Sequence, residues 1–335
     1  MVDSTGRQLR AGVAMTDDGW DGYWRGTREG AAHQAGGPQD EVLARFWTTL
    51  LMHALPDYPH PRVLDVACGN GALARFVFDC AKQLGGREPS LHALDRSLAA
   101  LRELRKRVPS IKGVVADANQ APFPDRSFDL VASQFGLEYA GIDALGEAAR
   151  LVASGGVLAT ILHLKNGAIY RECAINLEAV QGLRDCALLP HTRRVFEAGM
   201  GVNADRGDGT AFRRADREFA PAVAATQRIL SRYGPDVAGG VVQRLLVDIE
   251  HMYRHMSGYA LRDALNWIDQ MAAELDTYIL RMSSMLDAAI DERDLDQMLQ
   301  LVTAAGLIVR MREPMRMGKK NEAAAWVLVC DRRRG

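Results

Sequence analysis

Apolar residues along the first half of the chain recur in two alternating rhythms. From Glu41 to Leu55 they fall at helical spacing (Val42, Leu43, Phe46, Trp47, Leu50, Leu51), and Pro56 predicts where that helix must stop. Val63 to Ala67 is a short apolar run, preceded by Pro61 and ended by the turn Gly69-Asn70-Gly71, as expected of a buried strand. Leu73, Phe76, Val77, Cys80 and Leu84 then mark one helical face that closes at Gly85-Gly86. Leu91 to Leu94 predicts a second strand, and Ser97 a cap for a helix carrying Leu98, Leu101, Leu104 and Val108. Val114 to Ala116 predicts a third strand. The alternation continues with a strand from Phe128 to Ser133, a helix around Ile142 to Val152, a turn at Gly155-Gly156 and a strand from Val157 to Leu162.

Beyond Lys165 the rhythm changes. Long amphipathic stretches follow, such as Val241, Leu245, Ile249, Met252 and Met256, then Leu261, Leu265, Ile268, Met271, Leu275, Ile279 and Met282. Strand character returns at Leu307 to Met311 and Ala325 to Cys330, so the helical region reads as an insertion. The expected organisation is a leader or lid over residues 1–40, an α/β core over 41–164 and 295–335, and a helical cap over 165–294. Repeated strand and helix alternation implies a mostly parallel, doubly wound sheet. Such sheets bind ligands at the carboxyl ends of their strands.

Composition narrows the partners. Acidic and basic residues nearly cancel, 42 against 41, which removes the electrostatic pull toward nucleic acid or anionic membrane and leaves a small-molecule partner. No stretch approaches the apolar length needed to cross a bilayer, and Met1 to Gly12 lacks the apolar run of a signal peptide, so a soluble, cytoplasmic protein is expected. Five scattered cysteines without a C-x-x-C pair argue against a disulfide scaffold or structural zinc. His251 and His255 stand four apart on a predicted helix but have no third ligand in view, so no metal is expected. Nothing in the pattern specifies an oligomeric state.

Candidate chemistry gathers at the strand ends. Asp65 precedes the Gly69-Asn70-Gly71 turn, where glycines let a backbone approach a ligand closely. A carboxylate there opposes a dinucleotide pyrophosphate and suits a cationic amino acid tail. Asp95, at the end of the second strand, is placed to accept from both hydroxyls of a ribose, and Asp117-Ala118 after the third strand adds an acceptor for an adenine amine, with Phe123 available to flank the ring. Three acids at three successive strand ends describe an adenosine with a positive tail.

The stretch Val63-Leu64-Asp65-Val66-Ala67-Cys68-Gly69-Asn70-Gly71 resembles motif I of class I S-adenosylmethionine (SAM)-dependent methyltransferases. Pro122 to Tyr139 is similar to the fourth-strand motif of the UbiE-like small-molecule branch, and Arg150 to Gly156 to the family's R-x-L-x-P-G-G segment, with Ser154 in place of the usual proline. The resemblance covers residues 41–164 and, more loosely, 295–332. It implies a Rossmann-like seven-stranded sheet whose last strand is antiparallel, with SAM as cofactor. Asp65, Ala67, Gly69 and Gly71 would surround its methionine part, Asp95 with Arg96 its ribose, Asp117 and Ala118 its adenine, and Gln134 and Phe135 the region of the methyl group. Tyr23 and Trp24 would either close over the pocket or pack against the insertion. His163, directly after the fifth strand, is the candidate base for an acceptor hydroxyl, with a purely structural role as the other reading. Glu138 and Tyr139 would enter the acceptor side of the pocket or lie on the surface. Methyl transfer to oxygen, nitrogen or carbon of a small molecule follows, and Ser133-Gln134-Phe135-Gly136, standing where base-amino methyltransferases of nucleic acid carry N/D-P-P-Y/F, weighs against such a substrate. A nicotinamide-dependent oxidoreductase and a non-catalytic SAM-binding module are the rival readings.

Overall fold

The computed structural model describes residues 20, 21, 24, 38–85, 88–203 and 209–334, which fall into two units, residues 1–171 with 284–335 and residues 172–283. Tyr23 and nearly all of the predicted leader lie outside the described residues.

The first unit is built on a seven-stranded sheet. Its strands are β1 (Arg62–Val66), β2 (Ser90–Asp95), β3 (Lys112–Val115), β4 (Phe128–Gln134), β5 (Val152–His163), β6 (Leu307–Met317) and β7 (Glu322–Arg332), in the spatial order β3-β2-β1-β4-β5-β7-β6. Strands β1 to β5 pair in parallel and β7 runs antiparallel to both its neighbours. Parallel strands buried on both faces alternate their side chains between two cores. Accordingly Val63, Leu91, Ala93, Leu130, Ala132 and Ile161 join one core with Trp47, Leu51 and Val77, while Leu64, Leu94, Val131, Leu158 and Leu162 join the other with Leu145, Leu295 and Met298.

The connecting helices of this unit are α1 (Pro38–Ala54), α2 (Ala72–Gln83), α3 (Leu98–Arg107) and α4 (Asp143–Arg150). As expected, the Ser97 hydroxyl caps α3, accepting from the Ala100 N–H at 3.0 Å. Between β5 and β6 the chain forms α5 (Ala168–Asp185), α6 (Leu188–Asn203), α7 (Thr210–Tyr233), α8 (Val241–Arg254), α9 (Leu261–Ala288) and α10 (Glu292–Ala304). The division between units falls within α5 and α9, and α10 belongs to the sheet unit. Among its described residues the second unit carries helices and no strand, with Phe196, Val242, Leu245, Ile249 and Ile268 in its own core. Its methionines Met200, Met252 and Met256 are core residues.

Two sequence expectations change. Gly155-Gly156 does not form a turn before β5 but lies inside it. The pairing of β4 with β5 shifts between Phe128 and Leu130, Gly155 absorbs the irregularity at φ +77°, and a Cβ on Gly156 would come within 2.9 Å of the Asp129 carbonyl. The final hairpin is also longer than its apolar runs suggest. Strand β6 is the sheet edge and exposes Arg310 to Glu313, and charged edge residues discourage pairing with other chains while hiding the strand from a hydrophobic pattern.

The topology fixes where a ligand belongs. From β1 the chain winds outward through β2 to β3, then returns to place β4 on the other side of β1, which opens a crevice at the carboxyl ends of β1 and β4.

Candidate functional site

Asp65 sits near the carboxyl end of the central strand, paired with Ala93 on one side and Ala132 on the other, and is 3 % exposed. Burial, and then the charge of Asp95, push its carboxyl well above the usual carboxylate range. Past the strand, Ala67 takes a left-handed backbone (φ 52°), and the loop turns through Gly69 (φ 52°) and Gly71 (φ 86°) into α2. A non-glycine residue held at positive φ is strain that surrounding structure must enforce. Here the Cys68 N–H donates to the Leu94 carbonyl at 3.1 Å and the Gly71 N–H to the Cys68 carbonyl at 2.9 Å.

Asp95 organises the neighbouring strand end. One carboxylate oxygen accepts from the Gly69 N–H at 2.8 Å and the other from the Ser97 N–H at 2.8 Å, which locks the glycine turn of β1 to the start of α3. Burial raises its pKa, and those N–H groups partly offset the rise. The Ser97 hydroxyl donates to Asp21, whose same carboxylate oxygen accepts from the Ala99 N–H at 3.2 Å. Trp24 is buried beside Ala99 and Ala100, and a Cβ on Gly69 would meet its ring at 2.6 Å. Thus Gly69 is required by both its backbone and the indole above it.

The remaining predicted cofactor residues differ in setting. Ala118 is buried, whereas Asp117 is exposed and turned onto Asn119, accepting from its N–H at 2.9 Å and its amide at 3.2 Å. Arg96 is exposed. Phe123 packs its edge against Phe128 at 5.0 Å and His92 at 5.9 Å.

At the end of β4, the Gln134 side-chain oxygen accepts from the Trp47 indole at 2.6 Å, tying that strand end to α1. Phe135 also adopts a left-handed backbone (φ 54°), its N–H donating to Ile161 at 2.8 Å. Gly136 follows, and a Cβ there would stand 2.5 Å from the Ala67 carbonyl. The β1 and β4 loops therefore touch backbone to backbone at the crevice, and only glycine fits. That requirement has no sequence signal of its own, because Gly136 has ordinary negative φ and needs space from a segment 69 residues away.

Glu138 lies on the one-turn 3₁₀ helix Leu137–Ala140, and it is not on the surface: the residue is 3 % exposed. Its Oε1 accepts from the backbone N–H of His163 at 2.9 Å and lies 2.7 Å from His163 Nδ1, while no partner for Oε2 is found among the described residues. The His163 ring stands 4.5 Å from Phe135, tilted by 31°, and meets Tyr139 edge-on at 6.0 Å. Trp20 in turn meets Tyr139 edge-on at 5.1 Å. Phe135, Tyr139 and His163 are thus brought together, and the fold adds Glu138 beneath them. Among the described residues no group of three or more potential ligands could hold a metal ion, and no helix is long and apolar enough to cross a membrane.

Residues 63–156 match the family model described as a methyltransferase domain. Among curated proteins, the chain is 36% identical over 116 residues to the demethylmenaquinone methyltransferase of Renibacterium salmoninarum, covering 34% of this chain and 46% of that protein. It is 35% identical over 123 residues to the malonyl-[acyl-carrier protein] O-methyltransferase of Enterobacter lignolyticus, covering 36% and 46%. It is 30% identical over 140 residues to the aklanonic acid methyltransferase DauC of Streptomyces sp. (strain C5), covering 38% and 61%. The chain spans about half the length of the curated relatives it matches.

Proposed function

We propose, on the premise that residues 63–156 form a class I SAM-dependent methyltransferase domain, that the whole chain methylates a small organic acceptor in the cytoplasm. The relatives named above act on demethylmenaquinone, a malonyl-[acyl-carrier protein] and aklanonic acid, all of which fit such an acceptor better than nucleic acid. Near-balanced charge supports the same choice.

One observation carries the reading: two carboxyls, the buried Asp65 and the half-buried Asp95, flank a glycine turn at the topological switch point. Burial makes both carboxyls costly to ionise, and the charge of Asp95 adds to the cost at Asp65, so the pair favours a ligand that brings positive charge and hydroxyl donors. A sulfonium amino acid joined to a ribose meets both needs, whereas a pyrophosphate would add charge of the wrong sign. Asp65, with the backbone at Ala67, Gly69 and Gly71, would hold the methionine part. Asp95 with Arg96 would hold the ribose, and Asp117 with Ala118 the adenine.

SAM, when bound, supplies a methyl group already activated by its sulfonium. The protein's own task is alignment and, for an acceptor hydroxyl, removal of a proton. Phe135 and Gln134 border the crevice where β4 ends, and we assign His163, at the end of β5, as the group that takes the proton. Trp24, over Gly69, is assigned to closing the cofactor side. The reading is tested by incubating the purified chain and methyl-labelled SAM with fractionated small-molecule extract. Label appearing in a defined metabolite supports it, and SAM binding without transfer to any fraction would favour a non-catalytic module.

A further inference from the structure

Buried acids need partners, and Glu138 has distributed its two oxygens unequally. Oε1 receives the His163 backbone N–H at 2.9 Å and sits 2.7 Å from Nδ1 of the same residue, while Oε2 finds no hydrogen-bond partner among the described residues. An oxygen already accepting from an amide presents lone pairs, not a proton, to its second neighbour. The imidazole must therefore donate from Nδ1, which leaves the lone pair of the neutral ring on Nε2. The rest of the residue is equally constrained: the His163 carbonyl accepts from the Ile290 N–H at 2.8 Å, Phe135 lies along the ring, and Tyr139 meets its edge.

We infer that Glu138 is a positioning residue, which fixes His163 as the Nδ1–H tautomer so that Nε2 accepts the proton released by the acceptor; this rests on the methyl-transfer reading above. In that step the acceptor's O–H bond breaks, its electron pair stays on the oxygen, and a new N–H bond forms at Nε2. The imidazolium so formed lies against the Glu138 carboxylate, whose charge compensates it in a site that water enters little. A merely structural glutamate would satisfy the His163 amide just as well, but would have no reason to engage Nδ1 with the same oxygen.

The tautomer is directly observable without any acceptor. On the full chain labelled with ¹⁵N-histidine, long-range ¹H–¹⁵N NMR at neutral pH, with His163 assigned by loss of its signals in His163→Gln, should show protonated Nδ1 and bare Nε2. In Glu138→Ala the ratio of Nδ1–H to Nε2–H forms should fall by at least about tenfold, as loss of a charge-assisted hydrogen bond dictates. The isosteric Glu138→Gln guards against misfolding of the alanine variant. Its amide oxygen keeps the tautomer but removes the charge, so the Nδ1–H proton resonance should move upfield. An Nε2–H tautomer in the wild type, an unchanged ratio in a folded Glu138→Ala, or an unmoved resonance in Glu138→Gln would each overturn the assignment. Titration with S-adenosylhomocysteine separates the two claims. Wild type and Glu138→Gln should bind it within about twofold of each other, and a tenfold loss would place Glu138 in the cofactor site instead. Absence of binding to the wild type would defeat the methyltransferase reading while leaving the tautomer result intact.

Discussion

The carboxyl ends of β1 and β2 and those of β4 and β5 both bury acids, and they treat them oppositely. At the first, Asp65 and Asp95 are like charges brought together, and burial drives the pKa of each upward. At the second, Glu138 is matched by an imidazole from its own chain at 2.7 Å. Among the described residues the first arrangement has no cation of its own to offset its two acids, whereas the second pairs one oxygen of its acid with an imidazole already in place. We read the difference as a division of labour: a recognition site leaves its electrostatic demand open, whereas a reacting site holds its proton carrier ready.

That contrast can be broken most severely at Asp95, whose carboxylate joins the glycine turn to α3. In Asp95→Ala, affinity for S-adenosylhomocysteine should fall on the order of 10²-fold, about the loss of two hydrogen bonds to a charged group, by calorimetry on folded protein. Unchanged affinity would refute the ribose assignment. Next comes the seam between the two sites. Gly136→Ala drives a methyl into the Ala67 backbone, so thermal unfolding should show a loss of roughly 2 kcal/mol, and a neutral result would mean the loops are not held in contact.

A smaller effect of opposite sign is expected at Asp65. Because its folded pKa lies above the unfolded value, its contribution to stability is present below about pH 4 and is lost as pH rises through the folded pKa. Asp65→Asn should therefore raise the ligand-free melting temperature at pH 7, by about 2–4 °C if roughly 1 kcal/mol is recovered, while weakening cofactor binding. A lower melting temperature would contradict the idea of an unbalanced acid pair. The smallest effect belongs to His92, held between Phe123 and Phe128 with its pKa lowered by burial and then by Lys112. Neutral His92 is what the fold accommodates, so stability should be constant above about pH 6.5 and decline below it. His92→Leu should flatten that decline, measured as melting temperature against pH, and an equally steep slope would exonerate His92.

How far the sequence reveals these two sites follows from the same contrast. The cofactor side is written locally: Asp65, Gly69 and Gly71 fall within seven residues, and a strand, a glycine turn and a helix in succession are enough to read them. Strands β1 and β4 are equally legible, because strands buried on both faces appear as unbroken apolar runs. What escaped the sequence depends on distant neighbours. Glu138 gives no hint of burial until β5 brings His163 beside it, 25 residues on. Gly136 matters only because Ala67 is adjacent in space, and Asp21 only because α3 begins where it ends. Edge strand β6 was underestimated because its exposed arginines lack alternation. Gly155-Gly156 imitated a turn because a bulge uses the same residue type.

We assign the acids around the glycine turn to binding a sulfonium nucleoside. The direct measurement is parallel calorimetric titration of the wild-type chain with SAM and with NADH under identical buffer conditions. Saturable binding of SAM at one equivalent per chain and no resolvable heat with NADH are the expected results. Saturable NADH binding with no response to SAM would contradict it.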